Sequence, residues 1–555
     1  MLGTGVHSPE DRRFVGLASG VLDDILVRDP VHATRIGDHR FDARLPDLTH
    51  DGADEFARVL QRHQQFLDRI EERALSRFAA ADLRILRQGV ARRVFDLTVL
   101  RRNEWDPLLW NPAGALYSLT ARPFAPAPVR ARALRQRLAA VPEFLDNARH
   151  TLTGMPAIHV VTTIAQLGEI AAMLDETAAD LLTEPGVADA ADEALAAIER
   201  HRNWLEQQLP AAATIPAAVG PEVYEGILTH HLDQGPEPDA DELLAAAEDD
   251  LERVLDTLAS AAAKFGGSTM AVRTVIPDTL SRMAAASDVT GDNLLDVAAT
   301  ALEAAAEFLA ERRLVTVPPM DVRLEIMPGV HRGVSVAYCD APGPLETADL
   351  PTLIGLSPAP DSWDERRTES YYQEYNRHML YDLMVHEAVP GHALQLAHAR
   401  EAQAPTDVRA AMPSGLFIEG WAVYAEEMMA HRGFVVSQSQ RGSLRLQQLK
   451  MQLRVIINTI LDIRVHTRGM TEAEARRLMA TKGFQEDGEI AGKWDRARLT
   501  AGQLPLYYAG YQQVAAIVDE LDEHHRDWDQ QQVHDAVLAH GSVPPRVLRS
   551  LVGLE

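Results

Sequence analysis

Apolar residues recur at steps of three and four over long stretches of the chain, with charged residues filling the positions between. FARVLQRHQQFLDRI and ALSRFAAADLRILRQGVARRVFDLTV follow this rule between Asp51 and about Arg101, and that period predicts amphipathic helices. Pro123–Val129, PFAPAPV, interrupts the run and precedes a further predicted helix through Val141, because proline brings no N–H to a helix interior. ADEALAAIERHRNWLEQQL, DELLAAAEDDLERVLDTLASAAAKF and residues 290–312 extend the series, and Gly235–Pro238 reads as the turn before the second of these. Residues 26–49, with IGDHRFDARLPDLT, are polar and turn-prone instead.

The texture changes after Arg312. RLVTVPP, VRLEIMP and GVSVAY are short β-rich pieces divided by Pro, Gly and Asp, and they predict a small meander or hairpin between roughly residues 313 and 340. Gly333–Tyr338 is a candidate edge strand, able to hold an extended substrate by backbone hydrogen bonds. Helical periodicity resumes near residue 368 and continues almost to the C-terminus. The expectation is a mainly α fold with one small β-sheet. Residues 1–312 form a helical region and residues 313–555 hold the sheet and further helices, packed as one unit.

Charge and composition narrow the partners. A formal charge of −27 over 555 residues excludes nucleic acid as the expected ligand, since a phosphate backbone would be repelled over most of the surface. The opening MLGTGVHSPEDRRFVG carries charge where a secretory signal would be apolar, and no uninterrupted apolar run nears the length of a membrane span. The expected setting is therefore cytoplasmic and membrane-free, as a monomer or homodimer. The single cysteine, Cys339, sits in strand-like VSVAYCD and reads as a structural thiol.

Chemistry concentrates near position 400. His386–His392 reads HEAVPGH and Glu419–Glu426 reads EGWAVYAE. Two imidazoles, an adjacent carboxylate and a later carboxylate are the parts of a zinc hydrolase. The histidines, however, are six residues apart. In a regular helix that spacing turns the second side chain by about 120° from the first, so both could not reach one ion. Pro390 and Gly391 lie between them. A bulge at that pair could restore a common face; the same pair could instead end the helix and leave two unrelated histidines. Glu419 follows His392 by 27 residues, enough for a loop and the return of an antiparallel helix. His386, His392 and Glu419 would then hold Zn2+, Glu387 would take the proton of the attacking water, and Glu426 would orient a histidine or simply face solvent.

The chain resembles the bacterial family known as domain of unknown function 885. HEAVPGHALQ, Phe417–Ile418–Glu419–Gly420–Trp421–Ala422, Pro505–Leu506–Tyr507–Tyr508 with Gly510, and the N-terminal IGDHRFDARLPD carry that likeness over nearly the whole chain. Through the zincin-like peptidase clan, the resemblance implies a helical metallopeptidase with two lobes around a cleft. By that resemblance His386 and His392 are the zinc histidines, Glu387 the catalytic glutamate and Glu419 the third ligand. It also implies an oxyanion donor late in the chain, for which Tyr508 is the preferred candidate and His466 a further one.

Three more residues are candidates for substrate contact: Tyr507, Tyr511 and Arg498, the last because a guanidinium fork can grip a peptide's terminal carboxylate. Tyr371, Tyr372, Tyr375 and His378 are expected to wall the site. The functional expectation is zinc-dependent hydrolysis of short peptides. Hydrolysis of another small amide, and a zincin-shaped binding or scaffold protein without turnover, are the alternatives. The chain has no GxSxG elbow, P-loop or CxxC pair to favour another chemistry.

Overall fold

Side-chain caps start the helices that the periodicity predicts. Ser8, Thr49 and Ser76 each accept the backbone N–H three residues on, opening helices Pro9–Leu26, His50–Asp68 and Arg77–Phe95. The computed structural model describes residues 8–554 except 233–238, 268–269, 330–335, 361–362 and 436–441. The predicted turn at Gly235–Pro238 and the first half of Gly333–Tyr338 therefore lie outside the described residues. After the proline-rich break the helix runs Ala127–Thr151, carrying Pro142 inside it and passing the predicted end at Val141. The polar stretch 26–49 is not all turns: Asp29 caps a short helix, Pro30–Ile36, followed by a 3-10 turn at His39–Phe41.

The fold is mainly α with one three-stranded sheet. Its strands are β1 (Val322–Ile326), β2 (Ala337–Asp340) and β3 (Thr352–Leu356), in the order β1-β3-β2. β3 runs parallel to β1, with Val322 opposite Thr352, and antiparallel to β2, with Ala337 opposite Leu356. This corrects the expected meander between residues 313 and 340. The central strand lies beyond that range, and RLVTVPP forms no strand, although Leu314 and Val315 are buried. β3, TLIGL, is buried at nearly every position, so it lacks the alternation that marks a half-exposed strand. β2 lies at a sheet edge, as expected for Tyr338 and its neighbours. Cys339 sits in β2, where burial pushes its thiol well above the ordinary range.

Apolar packing crosses the boundary near residue 312. One core joins Phe14, Leu22 and Leu86 to Leu380, Trp421, Val514 and Leu548. A second holds Trp110, Leu138 and Ile198, within the N-terminal half. A third packs the helix Ala240–Phe265 against Ser443–Arg468. The latter, here called the spine helix, is buried on most sides and carries Lys450, Arg454, Asn458, Asp462 and His466 inward with its apolar residues. Buried polar groups at that density need partners or a polar cavity.

Candidate metal centre

The two histidines sit on separate helices. The first histidine helix, Arg377–Glu387, stops at Ala388, whose dihedrals are φ −111° and ψ −92°. The second begins at His392 and runs to Glu401. Between them the Val389–Pro390 bond is cis, and Gly391 folds back so that its N–H bonds Val385 O at 2.9 Å. A Cβ on Gly391 would lie 1.9 Å from His386 O, so the return is open only to glycine. Trp421 Nε1 donates to Pro390 O at 2.8 Å, tying the break to the next helix. The Pro-Gly pair thus interrupts the helix, and the interruption brings the histidines together.

Glu419 stands in the second turn of the glutamate helix, Gly415–His431, which Ser414 caps. Its Oε2 lies 3.8 Å from His386 Nε2 and 3.5 Å from His392 Nε2, and one donor atom of each residue falls within 4.8 Å of the others. Tetrahedral zinc ligands at about 2.0–2.2 Å stand roughly 3.4 Å apart, so the cluster is nearly contracted to that size. Glu419 Oε2 and His392 Nδ1 have no hydrogen-bond partner although both are buried. Two nitrogens and a carboxylate oxygen with an unmet buried acceptor suit a divalent cation, zinc best among them.

His386 Nδ1 lies 2.6 Å from Glu426 Oε1. A proton on Nδ1 directed at that carboxylate leaves the Nε2 lone pair facing His392 and Glu419. Burial disfavours charge on His386, yet the facing carboxylate of Glu419 and the hydrogen-bonded one of Glu426 raise its pKa well above the ordinary value. Burial likewise opposes ionisation of Glu419, but His386 and His392 hold its pKa below the usual carboxylate range. Asp382 lies behind them, fully shielded. Burial first, and Glu426 next, push it well up.

His386, Glu387 and Glu426 line a cavity of about 390 Å³. Val336 and Ala337 at β2, Trp363, Tyr371 and Tyr375 form part of its wall, and Met451, Arg454 and Asn458 come from the spine helix. Tyr507 also lines it, from the tyrosine helix Pro505–His524. Its ring centroid is 6.4 Å from that of His386, and its hydroxyl accepts from Arg496 Nη2 at 3.0 Å.

Several sequence candidates lie elsewhere. Tyr508, the preferred oxyanion donor, points away and gives its hydroxyl proton to Asp250 at 2.8 Å. One residue along a helix rotates a side chain by about 100°, which separates it from Tyr507. Tyr511 bonds Glu427. Arg498 pairs with Asp495 and lies over Trp494. His466 Nε2 reaches Ala497 O at 2.9 Å and Thr500 O at 3.1 Å, securing a helix end. None of these four lines the cavity. His378 is buried away from it, while Tyr371 and Tyr375 do form its wall.

Lys493, Arg454 and Arg496 line the cavity and were not singled out from the sequence. A signal was present: Glu489, Lys493 and Arg496 occupy positions i, i+4 and i+7 of the helix Asp487–Leu499, one face of its turn.

The sequence profile of a bacterial family of unknown function, DUF885, matches residues 30–552. The chain belongs to that family. No curated protein matches it. Among solved structures, a DUF885-like fold is seen in a candidate lipoprotein of unknown function from Shewanella oneidensis. It has a TM-score of 0.78 and 27% identity, covering 98% of this chain and 100% of that one. A candidate lipoprotein from Colwellia psychrerythraea aligns with a TM-score of 0.79 at 15% identity, covering 98% and 99%, and carries the likeness of fold alone.

The likeness to the Shewanella lipoprotein overturns the cytoplasmic, membrane-free expectation. Among the described residues one stretch, Ala157–Thr177, has a span's length and apolarity. It is two helices divided at Glu169, with Val160, Leu167, Ile170 and Met173 packed in the second core, as expected of core helices.

Proposed function

We propose that this DUF885 protein is a metal-dependent hydrolase of amide bonds, with short peptides or other small amides as substrates and zinc as the ion. The observation that carries the reading is the convergence of His386, His392 and Glu419 within 4.8 Å beside a cavity that Glu387 also lines. The donor set resembles that of zincin-like peptidases, and a cavity between β2 and the spine helix supports the reading by giving a small substrate room beside it.

Bound zinc supplies Lewis acidity, polarising a carbonyl and making water nucleophilic near neutral pH. The chain's own residues do the rest. Glu426 holds the proton on His386 Nδ1 and fixes the ring. Glu387 receives a proton from the attacking water and returns it to the leaving amine. The Tyr507 hydroxyl, accepting from Arg496, keeps its own proton free to donate to the substrate oxygen that gains charge. Burial raises the Tyr507 pKa, so that proton is retained.

A second reading has support from the same donor set: a protein that holds metal and ligand without turnover requires the three metal residues and nothing of Glu387. Digestion of a peptide and acylamide library by zinc-loaded protein, read by mass spectrometry, separates the two. Cleavage by wild type and its loss in Glu387→Gln, with zinc content near one per chain in both, supports the hydrolase. Equal product from both proteins rejects Glu387 as the base, and no product from either favours the binding protein.

We infer a working location in the cell envelope from the kinship with the Shewanella protein. Fractionation should recover the chain in periplasmic or membrane pools, and recovery from the cytosol alone rejects this.

A further inference from the structure

The cavity wall gathers Arg454, Lys493 and Arg496 around Glu489, and that carboxylate cannot hydrogen-bond all three. Arg454 is hydrogen-bonded to Glu489 and, at 3.1 Å, to the Tyr375 hydroxyl. That hydroxyl donates to the other Glu489 oxygen at 2.5 Å. Glu489 is thereby occupied. Lys493 Nζ stands 3.7 Å from it, outside hydrogen-bond reach, and has no other acidic partner among the described residues. Arg496 gives Nε and Nη2 to Gln503, at 3.2 and 2.9 Å, and to Tyr507. It forms no ion pair among the described residues. The nearest further acid, Glu374, is 4.0 Å from Arg454 and already holds Lys450 at 2.9 Å. Lys493 and Arg496 are thus left without a hydrogen-bonded carboxylate of their own.

Such a surplus is costly. Lys493 is only 6% exposed, and an ammonium so largely screened from bulk water, with its one carboxylate beyond hydrogen-bond reach, is destabilising. Burial and the neighbouring Arg454 press its pKa well below the ordinary lysine range. Composition makes the placement harder to dismiss, since the chain has four lysines and a net charge of −27. A structural network would balance its charges, whereas a receptor for an anion leaves a surplus to be met by the ligand.

Two neighbours describe the rest of that ligand. Asn458, 4% exposed and lining the same cavity, has an Oδ1 without a hydrogen-bond partner. It is an acceptor placed for an N–H. Trp363, Tyr371, Met379, Leu383 and Met451 supply an apolar face. A cavity of about 390 Å³ has room for a di- or tripeptide.

We propose that Lys493, assisted by Arg496, is the anchor for a free carboxylate, and that the ligands are acylated amino acids or short peptides with an apolar side chain beside that carboxylate. Where the hydrolase reading holds, on which this assignment of substrate class rests, the bond cut lies near the carboxylate end. The anchor itself does not require turnover.

Calorimetric titration of Glu387→Gln protein, which binds without cleaving, tests it. The probes are N-acetyl-Ala-Phe, the same compound as its C-terminal amide, and N-acetyl-Phe. The free acids should bind about tenfold or more tighter than the amide, roughly 1.4 kcal/mol per tenfold. Adding Lys493→Met should erase that preference and Lys493→Arg should restore part of it. If the methionine variant does not fold, acid against amide on the unaltered wall still decides. Equal affinity for acid and amide, binding of neither, or a preference untouched by Lys493→Met overturns the anchor. A clear acid preference with no cleavage of the peptide by zinc-loaded wild type leaves the anchor standing and removes the hydrolase. N-acetyl-Phe binding as tightly as the peptide supports the anchor with an acylamino acid as its ligand; weaker binding of N-acetyl-Phe supports it with a peptide.

Discussion

Gly420 and Gly510 touch backbone to backbone. A Cβ on Gly420 would stand 2.3 Å from the carbonyl carbon of Gly510, and one on Gly510 would stand 2.1 Å from Leu416 O. The glutamate helix and the tyrosine helix therefore approach too closely here for any side chain, and the contact lies one residue from Glu419 and three from Tyr507. Gly510→Ala must force the helices apart, costing about 1–3 kcal/mol of stability and displacing Glu419, the proposed third metal ligand. Urea denaturation and zinc titration should both report the damage. Gly16→Ala, in a helix where the new methyl meets nothing within 4 Å, is the control. It should be neutral or stabilising by a few tenths of a kcal/mol to about 1.

The 2.6 Å contact between His386 Nδ1 and Glu426 predicts a graded loss of metal affinity. Glu426→Gln keeps an acceptor but removes the charge; Glu426→Ala removes both. Competition titration with a zinc chelator should show about 10-fold weaker binding in the first and up to about 100-fold in the second. The same chelator should lower the melting temperature of wild type and have no effect on a His392→Ala variant, since an ion that binds only the folded state stabilises it by mass action.

The cluster of His386, His392 and Glu419 could be picked out because such donor residues are rare at this density in the chain. What the spacing alone left open was whether Pro390 and Gly391 end a helix or repair it. The answer depended on the Trp421 indole reaching Pro390 from a helix about 30 residues later, which is not a local property. The helices were visible by period. β3 was not, because a buried five-residue apolar run has no alternation, and its parallel partner lies across an intervening strand. Tyr508 and Arg498 were reasonable by residue type, yet each lies on the wrong side of its helix. Helical phase favours Tyr507 and Arg496, and phase is readable only once one position on the face is known.

His201 predicts acid sensitivity. It is wholly buried beside Trp204, neither ring nitrogen has a hydrogen-bond partner, and burial followed by the charge of Arg149 lowers its pKa to about 4 from 6.5. The folded state thus resists the proton that the unfolded chain accepts. Stability is full above the unfolded value, falls as pH drops from about 6.5, and stops falling from this cause near 4. The shift corresponds to at most about 3 kcal/mol. His378 and His540, also lowered to about 4 chiefly by burial, steepen the same limb. Chemical denaturation between pH 7 and 4 should show a shallower loss in His201→Leu than in wild type. An unchanged slope would mean that His201 gains a proton without penalty.

Tyr507 and Tyr508 are adjacent in sequence and opposite in expected effect. The Tyr507 hydroxyl lines the cavity and is oriented by Arg496, so its phenylalanine variant loses a donor aimed at developing charge. Removing one such donor costs about 10²–10³ in kcat, with KM little changed if the bond strengthens only as the oxygen becomes anionic. Tyr508→Phe instead deprives Asp250 of a hydrogen bond made at 2.8 Å on the far side of the helix. Its cost should be about 0.5–1.5 kcal/mol of stability with turnover close to wild type. Steady-state kinetics and denaturation on the two variants, using whichever amide the library identifies, give a crossed result if the assignment is right. A catalytic loss in Tyr508→Phe with none in Tyr507→Phe would restore the donor first expected and remove the role given to the Arg496–Tyr507 pair.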